Sequence, residues 1–333
     1  MAVKIVVLDG ATVNPGDNPW EPVARLGELT VHDRTPDELI LARAAEAEIL
    51  LTNKTPLSAT TIAALPKLRF IAELATGYNN IDVKAAGARG IPVVNVPGYS
   101  TVSVAQHAFA LLLSLTNGIC VHSQAVRQGE WISAADFSFS KGSLVELAGK
   151  RLGIVGLGEI GRRVAVIAHA FGMEVAAFNP RSRRQPEGVP VAWLSLEELF
   201  STSDVVSLHC PLTPSNEKFV GASMLRLMKP AAFLINTARG GLVDEAALAE
   251  ALDSGLIAGA GLDVVAAEPM VVGNPLRTAK NCMITPHNAW ASLAARGRLM
   301  VVTAGNIAAF LRGEPMNVVN GDCLAKGLGH GKG

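Results

Sequence analysis

The sequence predicts an α/β protein built from two doubly wound parallel-sheet domains, and three observations carry that prediction. Short runs rich in Val and Ile alternate with Ala/Leu-rich helical stretches from end to end. The runs are continuously apolar, not alternating, which marks strands covered on both faces. They also fall into two series joined by long helical stretches, so each series builds its own sheet.

In the first series "KIVVLD", "EILLTN", "RFIAEL" and "IPVVNV" are strands, with "SATTIAALPKL" as one of the helices between them. A single helix over 103–129, where Ala105, Phe109, Leu112 and Leu113 recur at helical spacing, leads into the second. There the strands are "RLGIVG", "EVAAFN", "DVVSLH", "AAFLIN", "AGAGLDV" and "CMITP". A helix over 292–313 carries the chain back. The first domain is therefore expected to be discontinuous, 1–102 with 291–333, and interrupted by a second domain over 103–290. The final "GLGHGKG" shows no pattern.

A chain of 333 residues has room for two cores, and 49% hydrophobic against 17% charged residues excludes a disordered one. Twenty-nine basic residues balance 29 acidic ones, so no net field favours nucleic acid or an anionic membrane. The stretch from 90 to 126 lacks Asp, Glu, Lys and Arg, yet Pro92, Pro97 and Gly98 interrupt it, and Gln106, His107, Asn117 and His122 punctuate its apolar half. That pattern suits a buried or subunit-facing helix, not a lipid-spanning one. Cys120, Cys210, Cys282 and Cys323 are scattered, with neither CxxC nor metal-ligand spacing. They are expected as free thiols of a reducing cytoplasm, with no metal. "MAVKIVVLDG" reaches Asp9 too soon to contain a signal-peptide core.

Chemistry enters with "RLGIVGLGEIGRRVA", which sets Gly156, Gly158 and Gly161 in GxGxxG spacing between a strand and a helix. Gly156 permits a tight turn, Gly158 lets the backbone approach a pyrophosphate, and Gly161 lets the helix pack on the sheet. Glu159 and Ile160 open the helix whose N-terminus meets the phosphate charge. The alternative is an ordinary glycine-rich turn; the strand–loop–helix context favours a Rossmann dinucleotide-binding domain. About 20 residues on, an acid would bind the ribose 2′-hydroxyl. "EVAAFNPRSRR" puts Asn179 there, followed by Arg181, Arg183 and Arg184. Asparagine does not repel a 2′-phosphate and arginine pairs with one, although such arginines also occur as a plain solvated face. The reading leans to NADP(H), with NAD(H) left open.

Three later strands end in polar side chains: "LINTARGGLVDEAAL" presents Arg239, "GAGLDVVAAEP" presents Asp263 and Glu268, and "ITPHNAW" presents His287. Open α/β sheets bind ligands at the carboxyl ends of strands. Singly, each has a bland alternative: a helix-capping arginine, a surface carboxylate, a buried imidazole bonded to backbone.

Together with "ATGYNNIDVKAAGARGIPVVNVPGYST" (75–101), "VAQHAFALLL" (104–113) and "SLHCPLTP" (207–214), these stretches make nearly the whole chain resemble the D-isomer-specific 2-hydroxyacid dehydrogenases. "VVLDGATVNPGD", Gln106 and Trp290 are most like that family's glycerate dehydrogenase (hydroxypyruvate reductase) branch. The resemblance implies a flavodoxin-like substrate domain beside the Rossmann domain, an interdomain cleft that closes on substrate, and a homodimer. It implies reduction of a small 2-keto acid, hydroxypyruvate or glyoxylate, to the D-2-hydroxy acid. Arg239 would hold the carboxylate and carbonyl oxygen, His287 would be the acid/base, and Glu268 would fix the tautomer of His287 through Nδ1–H. Backbone N–H groups at Thr76 and Gly77 would bind the substrate carboxylate. Thr101, Thr237, Ala238 and Asp263 would contact the nicotinamide half, with Asp263 accepting from the carboxamide, and Cys210, Pro211 and Thr213 would lie on the cofactor loop. The dimer would use the long helix and "EWISAADFSFSKG" (130–142), with Trp131, Phe137 and Phe139, although that stretch reads equally well as an ordinary packed loop. Asn179 departs from the family's acidic ribose binder; Leu293 and Ala294 stand where relatives are polar, and nothing explains them. A D-lactate-type or phosphoglycerate dehydrogenase is a nearer rival, though no basic cluster flanks the substrate loop. A nucleotide-sensing corepressor-like protein is the rival from another class, and for it the full Arg239, Glu268 and His287 set would be surplus.

Overall fold

A computed structural model describes residues 2–180 and 182–327. The chain divides into two compact units, one of Met1–Ser100 with Ala291–Gly333 and one of Thr101–Trp290.

The first unit is a parallel sheet of β1 (Lys4–Val7), β2 (Glu28–Val31), β3 (Ile49–Thr52), β4 (Phe70–Glu73) and β5 (Val93–Val94), in the order β2-β1-β3-β4-β5. That is the flavodoxin-like order, reversing between β1 and β3. Strands β3 and β4 are buried along their whole length, which is why they read as unbroken apolar runs. β2 is an addition to the four expected strands: it lies at an edge, and "ELTV" exposes Glu28 and Thr30, so no apolar run announces it. One face of the sheet packs Leu8, Leu50 and Ile71 with Ile40, Ile62 and Leu65. Opposite the helices of that face, Phe70 stacks on Phe310 of the helix Leu293–Leu311 at 4.5 Å. Asn320 then ties the returning chain to the sheet, accepting from Val93 N at 2.9 Å and donating to Ile91 O at 3.0 Å. "SATTIAALPKL" is helical only over Ala59–Ala63, started by the Ser58 side chain on Thr61 N.

At the point where the strand order reverses, Asp9 is 2% exposed. Its carboxylate accepts from the backbone N–H groups of Asn53 (2.9 Å), Lys54 (2.6 Å) and Thr55 (2.7 Å). One side chain after β1 thus shapes the loop after β3.

The second unit is a seven-stranded parallel sheet: β6 (Arg151–Val155), β7 (Glu174–Phe178), β8 (Val191–Trp193), β9 (Val205–Leu208), β10 (Phe233–Asn236), β11 (Gly259–Leu262) and β12 (Cys282–Ile284). Its order, β12-β11-β10-β9-β6-β7-β8, is the Rossmann arrangement with one strand added. β8 is again an edge strand, three residues long, that the apolar runs do not reveal. The expected single helix over 103–129 is two helices, Thr101–Asn117 and Ile119–Arg127, bent by 59°. The break is Gly118, at φ +56°, a conformation cheap only without a Cβ. Among the described residues no single helix is long and apolar enough to cross a membrane. The apolar face of Thr101–Asn117 is spent on this unit's core, where Ala105, Phe109 and Leu112 pack with Ile154 and Ile235. Glycine makes that approach close: a Cβ on Gly261 of β11 would sit 2.9 Å from Leu111 Cβ.

Truncating Asp9 to Ala leaves three N–H groups of the 53–55 loop without their acceptor. Asp9→Ala should lower the stability of the first unit by about 3 kcal/mol, read as a fall in urea midpoint at unchanged slope.

Candidate active site

Strand register sets the site's baseline. Phe178, Val155, Leu208, Asn236, Leu262 and Ile284 form one continuous row of cross-strand partners. Six segments therefore leave the sheet along one line, spaced by about 4.8 Å. The first residues out are Asn179, Gly156, His209, Thr237, Asp263 and Thr285.

The glycine turn after β6 shows three different needs. Gly156 has φ +95°, and a Cβ there would lie 2.7 Å from Cys210 N. A Cβ on Gly161 would lie 2.3 Å from Gly156 O, so only glycine lets the helix Glu159–Ala170 start this close to the strand. Gly158 caps that helix with no side chain, and nothing lies within 4 Å of where its Cβ would be. Glu159 and Ile160 follow as its first residues. Bare first-turn N–H groups beside open space fit a pyrophosphate. Beyond β7, a pocket of about 510 Å³ is lined by Phe178, Asn179, Arg183, Trp193 and Ser195 among others. Arg181 lies outside the described residues.

The loop after β9 is held by its own hydrogen bonds. His209 Nε2 is hydrogen-bonded to Ser207 Oγ at 2.8 Å, and burial pushes its imidazole down to about 4. Burial likewise raises the Cys210 thiol to about 11. Asn216 Oδ1 accepts from Thr213 N at 2.7 Å while its Nδ2 donates to Pro211 O at 2.9 Å. The loop after β10 is shaped by buried Asn236, which accepts from Ala238 N at 3.0 Å and donates to Arg239 O at 2.9 Å. The half-buried Arg239 donates from Nη1 to Ala238 O at 2.7 Å. Thr237 Oγ1 is buried with no hydrogen-bond partner among the described residues. Next to Arg239, Gly240 is obligatory: a Cβ would fall 1.9 Å from the Val265 carbonyl carbon, so the loops after β10 and β11 touch backbone to backbone.

Asp263, 1% exposed, holds the loop after β12. Its carboxylate accepts from Thr285 Oγ1 (2.6 Å), Asn288 N (3.0 Å) and Ala289 N (2.9 Å), and its carbonyl accepts from His287 N (2.8 Å). Since Thr285 donates to Asp263, its oxygen accepts from His107 Nε2–H at 2.9 Å. Ser103 Oγ donates to Ala289 O at 2.7 Å, so the helix that Thr101 opens grips the same loop. Within it His287 sits at φ +52°, unusual for a non-glycine residue. His287 Nδ1 meets Glu268 Oε2 at 2.6 Å, and Trp290 Nε1 donates to His287 O at 2.9 Å. A carboxylate only accepts, so Nδ1 carries a proton and Nε2 is left for proton exchange.

In the first unit, Thr76 donates from Oγ1 to Val96 O at 2.9 Å and accepts at its carbonyl from Asn95 Nδ2 at 2.8 Å. The backbone N–H groups of Thr76 and Gly77 meet no acceptor among the described residues.

The structure thus joins Glu268 directly to His287, sets Arg239 on the loop after a nearby strand, and has Asp263 pin the histidine loop. Sequence reasoning missed Asn236, His209, Thr285 and His107. Polar residues at the ends of apolar strands were the available signal for the first three; His107, inside a helix, gave none.

Residues 109–289 match the family described as D-isomer specific 2-hydroxyacid dehydrogenase, NAD binding domain. The chain is 45% identical to a hydroxypyruvate reductase of Blautia hydrogenotrophica, covering 96% of this chain and 100% of that one. It is 43% identical to a glycerate dehydrogenase of Methylorubrum extorquens, over 86% of this chain and 89% of the relative. Among solved structures, an NADPH-dependent glyoxylate/hydroxypyruvate reductase from Sinorhizobium meliloti superposes with a TM-score of 0.81 at 33% identity, covering 95% and 97% of the two chains.

His209 supplies a pH signature. Its folded value is depressed, so the unfolded chain takes up a proton that the folded one refuses as pH falls from 6.5 towards about 4, and stability is lost across that window. His209→Gln should flatten that part of a plot of urea midpoint against pH.

Proposed function

The chain belongs to the D-isomer-specific 2-hydroxyacid dehydrogenases, and from that premise we propose that it is an NAD(P)H-dependent hydroxypyruvate/glyoxylate reductase, interconverting a small 2-keto acid and the D-2-hydroxy acid. The observation that carries the mechanism is the 2.6 Å contact between Glu268 and His287 on a loop anchored by buried Asp263. The names of the relatives support the substrate.

On this reading Arg239 binds the substrate carboxylate and carbonyl oxygen through its planar fork. The Thr76 and Gly77 N–H groups take the carboxylate as well. Glu268 keeps the proton on Nδ1, so Nε2 of His287 gives its proton to the forming alkoxide and takes it back in the reverse direction. Gly156, Gly158, Glu159, Ile160 and Gly161 would hold the dinucleotide's pyrophosphate, with Cys210, Pro211 and Thr213 on the cofactor loop and Thr101, Thr237, Ala238 and Asp263 towards its nicotinamide half. When bound, the dinucleotide supplies the hydride for the carbonyl carbon. We assign NADP(H) as the preferred form, because Asn179 and Arg183 line the pocket beyond β7. Four free cysteines suit a reducing cytoplasm. A homodimer would cover the apolar surface of 119–144, where Ile132 and Phe137 are 92% and 91% exposed; sedimentation of the intact protein tests it.

His287→Ala should lower kcat by roughly a hundredfold to ten-thousandfold while NADPH binding, followed by nucleotide fluorescence, is retained. Normal turnover in that variant would overturn the mechanism. Arg239→Lys keeps the charge but loses the fork, and should cost about a hundredfold in kcat/KM for hydroxypyruvate. Comparing kcat/KM for hydroxypyruvate, glyoxylate, pyruvate and 3-phosphohydroxypyruvate with each nucleotide tests the substrate and the cofactor together. An advantage for NADH of more than about tenfold would reverse the NADP(H) assignment.

A further inference from the structure

Glu73 ends β4 and leads into the Thr76–Gly77 turn. It is wholly buried, where a bare carboxylate is costly unless paired. Oε2 accepts from Asn80 Nδ2 at 3.0 Å, and the same amide reaches Thr55 O at 3.4 Å and Asn53 O at 3.5 Å. The Glu73–Asn80 bond therefore closes the base of a loop made by residues 74–79, with Thr76 and Gly77 inside it. This corner is short of donors: Glu73 Oε1 and Asn53 Oδ1 are both buried without a hydrogen-bond partner. Asn53 directly follows Thr52, which faces Glu73 in register. Among the described residues no cation is hydrogen-bonded to Glu73. The charged groups whose fields reach it are Asp9, after β1, and Lys54, after β3.

We propose that Glu73 is a protonated positioning residue, whose neutral carboxylic acid ties Asn80 across the base of the loop and keeps negative charge from beneath the N–H groups of Thr76 and Gly77. The inference rests on the assignment of that turn to the substrate carboxylate. A proton on Oε1 turns one of the two orphaned acceptors into a donor. Burial pushes Glu73 up to about 9; Asn80 and Lys54 oppose the rise and Asp9 adds to it. Ionisation above that value would set an anion under an anion-binding turn. It would also leave Glu73 Oε1 and Asn53 Oδ1 as buried acceptors with no donor among the described residues.

Oxidation of D-glycerate with NADP+ isolates the effect, because in that direction His287 works deprotonated and an alkaline rise in KM is not the loss of its proton. KM for D-glycerate should rise about tenfold between about pH 8 and about pH 10 in the wild type, and this ratio should fall close to one in Glu73→Gln. Asn80→Ala should raise KM severalfold at every pH with the NADPH dissociation constant unchanged, and it carries the test if Glu73→Gln fails to fold. A second readout needs no turnover. A raised folded value means that wild-type stability declines as pH climbs from 4.5 to about 9, a slope that Glu73→Gln should lose. If Glu73→Gln keeps the wild-type rise in KM or the wild-type stability slope, or if Asn80→Ala leaves KM unchanged, the proposal is overturned. If the wild type oxidises no 2-hydroxy acid, the functional reading fails and the positioning role falls with it, while the stability slope still reports the charge on Glu73.

Discussion

The site depends on one buried carboxylate. Asp263 emerges where β11 ends, almost without solvent contact, and spends itself on donors from the next loop: Thr285 Oγ1, Asn288 N and Ala289 N. Hydrogen bonds to a charged acceptor are worth about 1.5–3 kcal/mol each, and a buried anion without them would be untenable. The loop has little choice but to wrap the carboxylate. His287 is positioned by that necessity before any chemistry is asked of it.

The same device appears in the first unit. Asp9, two residues beyond β1, collects the N–H groups of Asn53, Lys54 and Thr55 and so dictates the loop beyond β3. In both units the inner strands are mostly buried apolar ladders, and the polar content that shapes the loops is concentrated where the ladders stop. An aspartate one strand away then converts a flexible connection into a fixed surface. Close backbone approach does the complementary work: Gly156 against Cys210 and Gly240 against Val265 leave no room for a side chain, so neighbouring loops are locked in register.

Much of this was legible in the sequence because continuous burial writes itself as continuous hydrophobicity. β3, β4, β9 and β10 are buried throughout, and each reads directly as a strand. The strands that escaped, β2 and β8, are edge strands with partly exposed side chains, whose pairing is decided by neighbours far away in sequence. The break at Gly118 escaped because an isolated glycine in an apolar helical pattern is commonly tolerated without ending the helix. At the site, Gly156, Gly158 and Gly161 declare themselves by spacing, and Glu268 and His287 by their place after strands and by family resemblance. The roles of Asp263, Asn236 and His107 did not, since their partners are fixed by sheet register and helix docking. An aspartate in "GLDVV" looks alike whether it faces a ligand or three peptide N–H groups.

His287 occupies a left-handed backbone conformation that residues bearing a Cβ seldom adopt. Such a conformation costs of order 1–3 kcal/mol in a residue bearing a Cβ, and glycine would relieve it. On the proposed role, glycine at 287 would also remove the acid. If that role holds, the protein is kept off its own stability optimum at the residue that carries its chemistry, and selection for robustness alone would drift towards a well-folded nucleotide binder with no turnover.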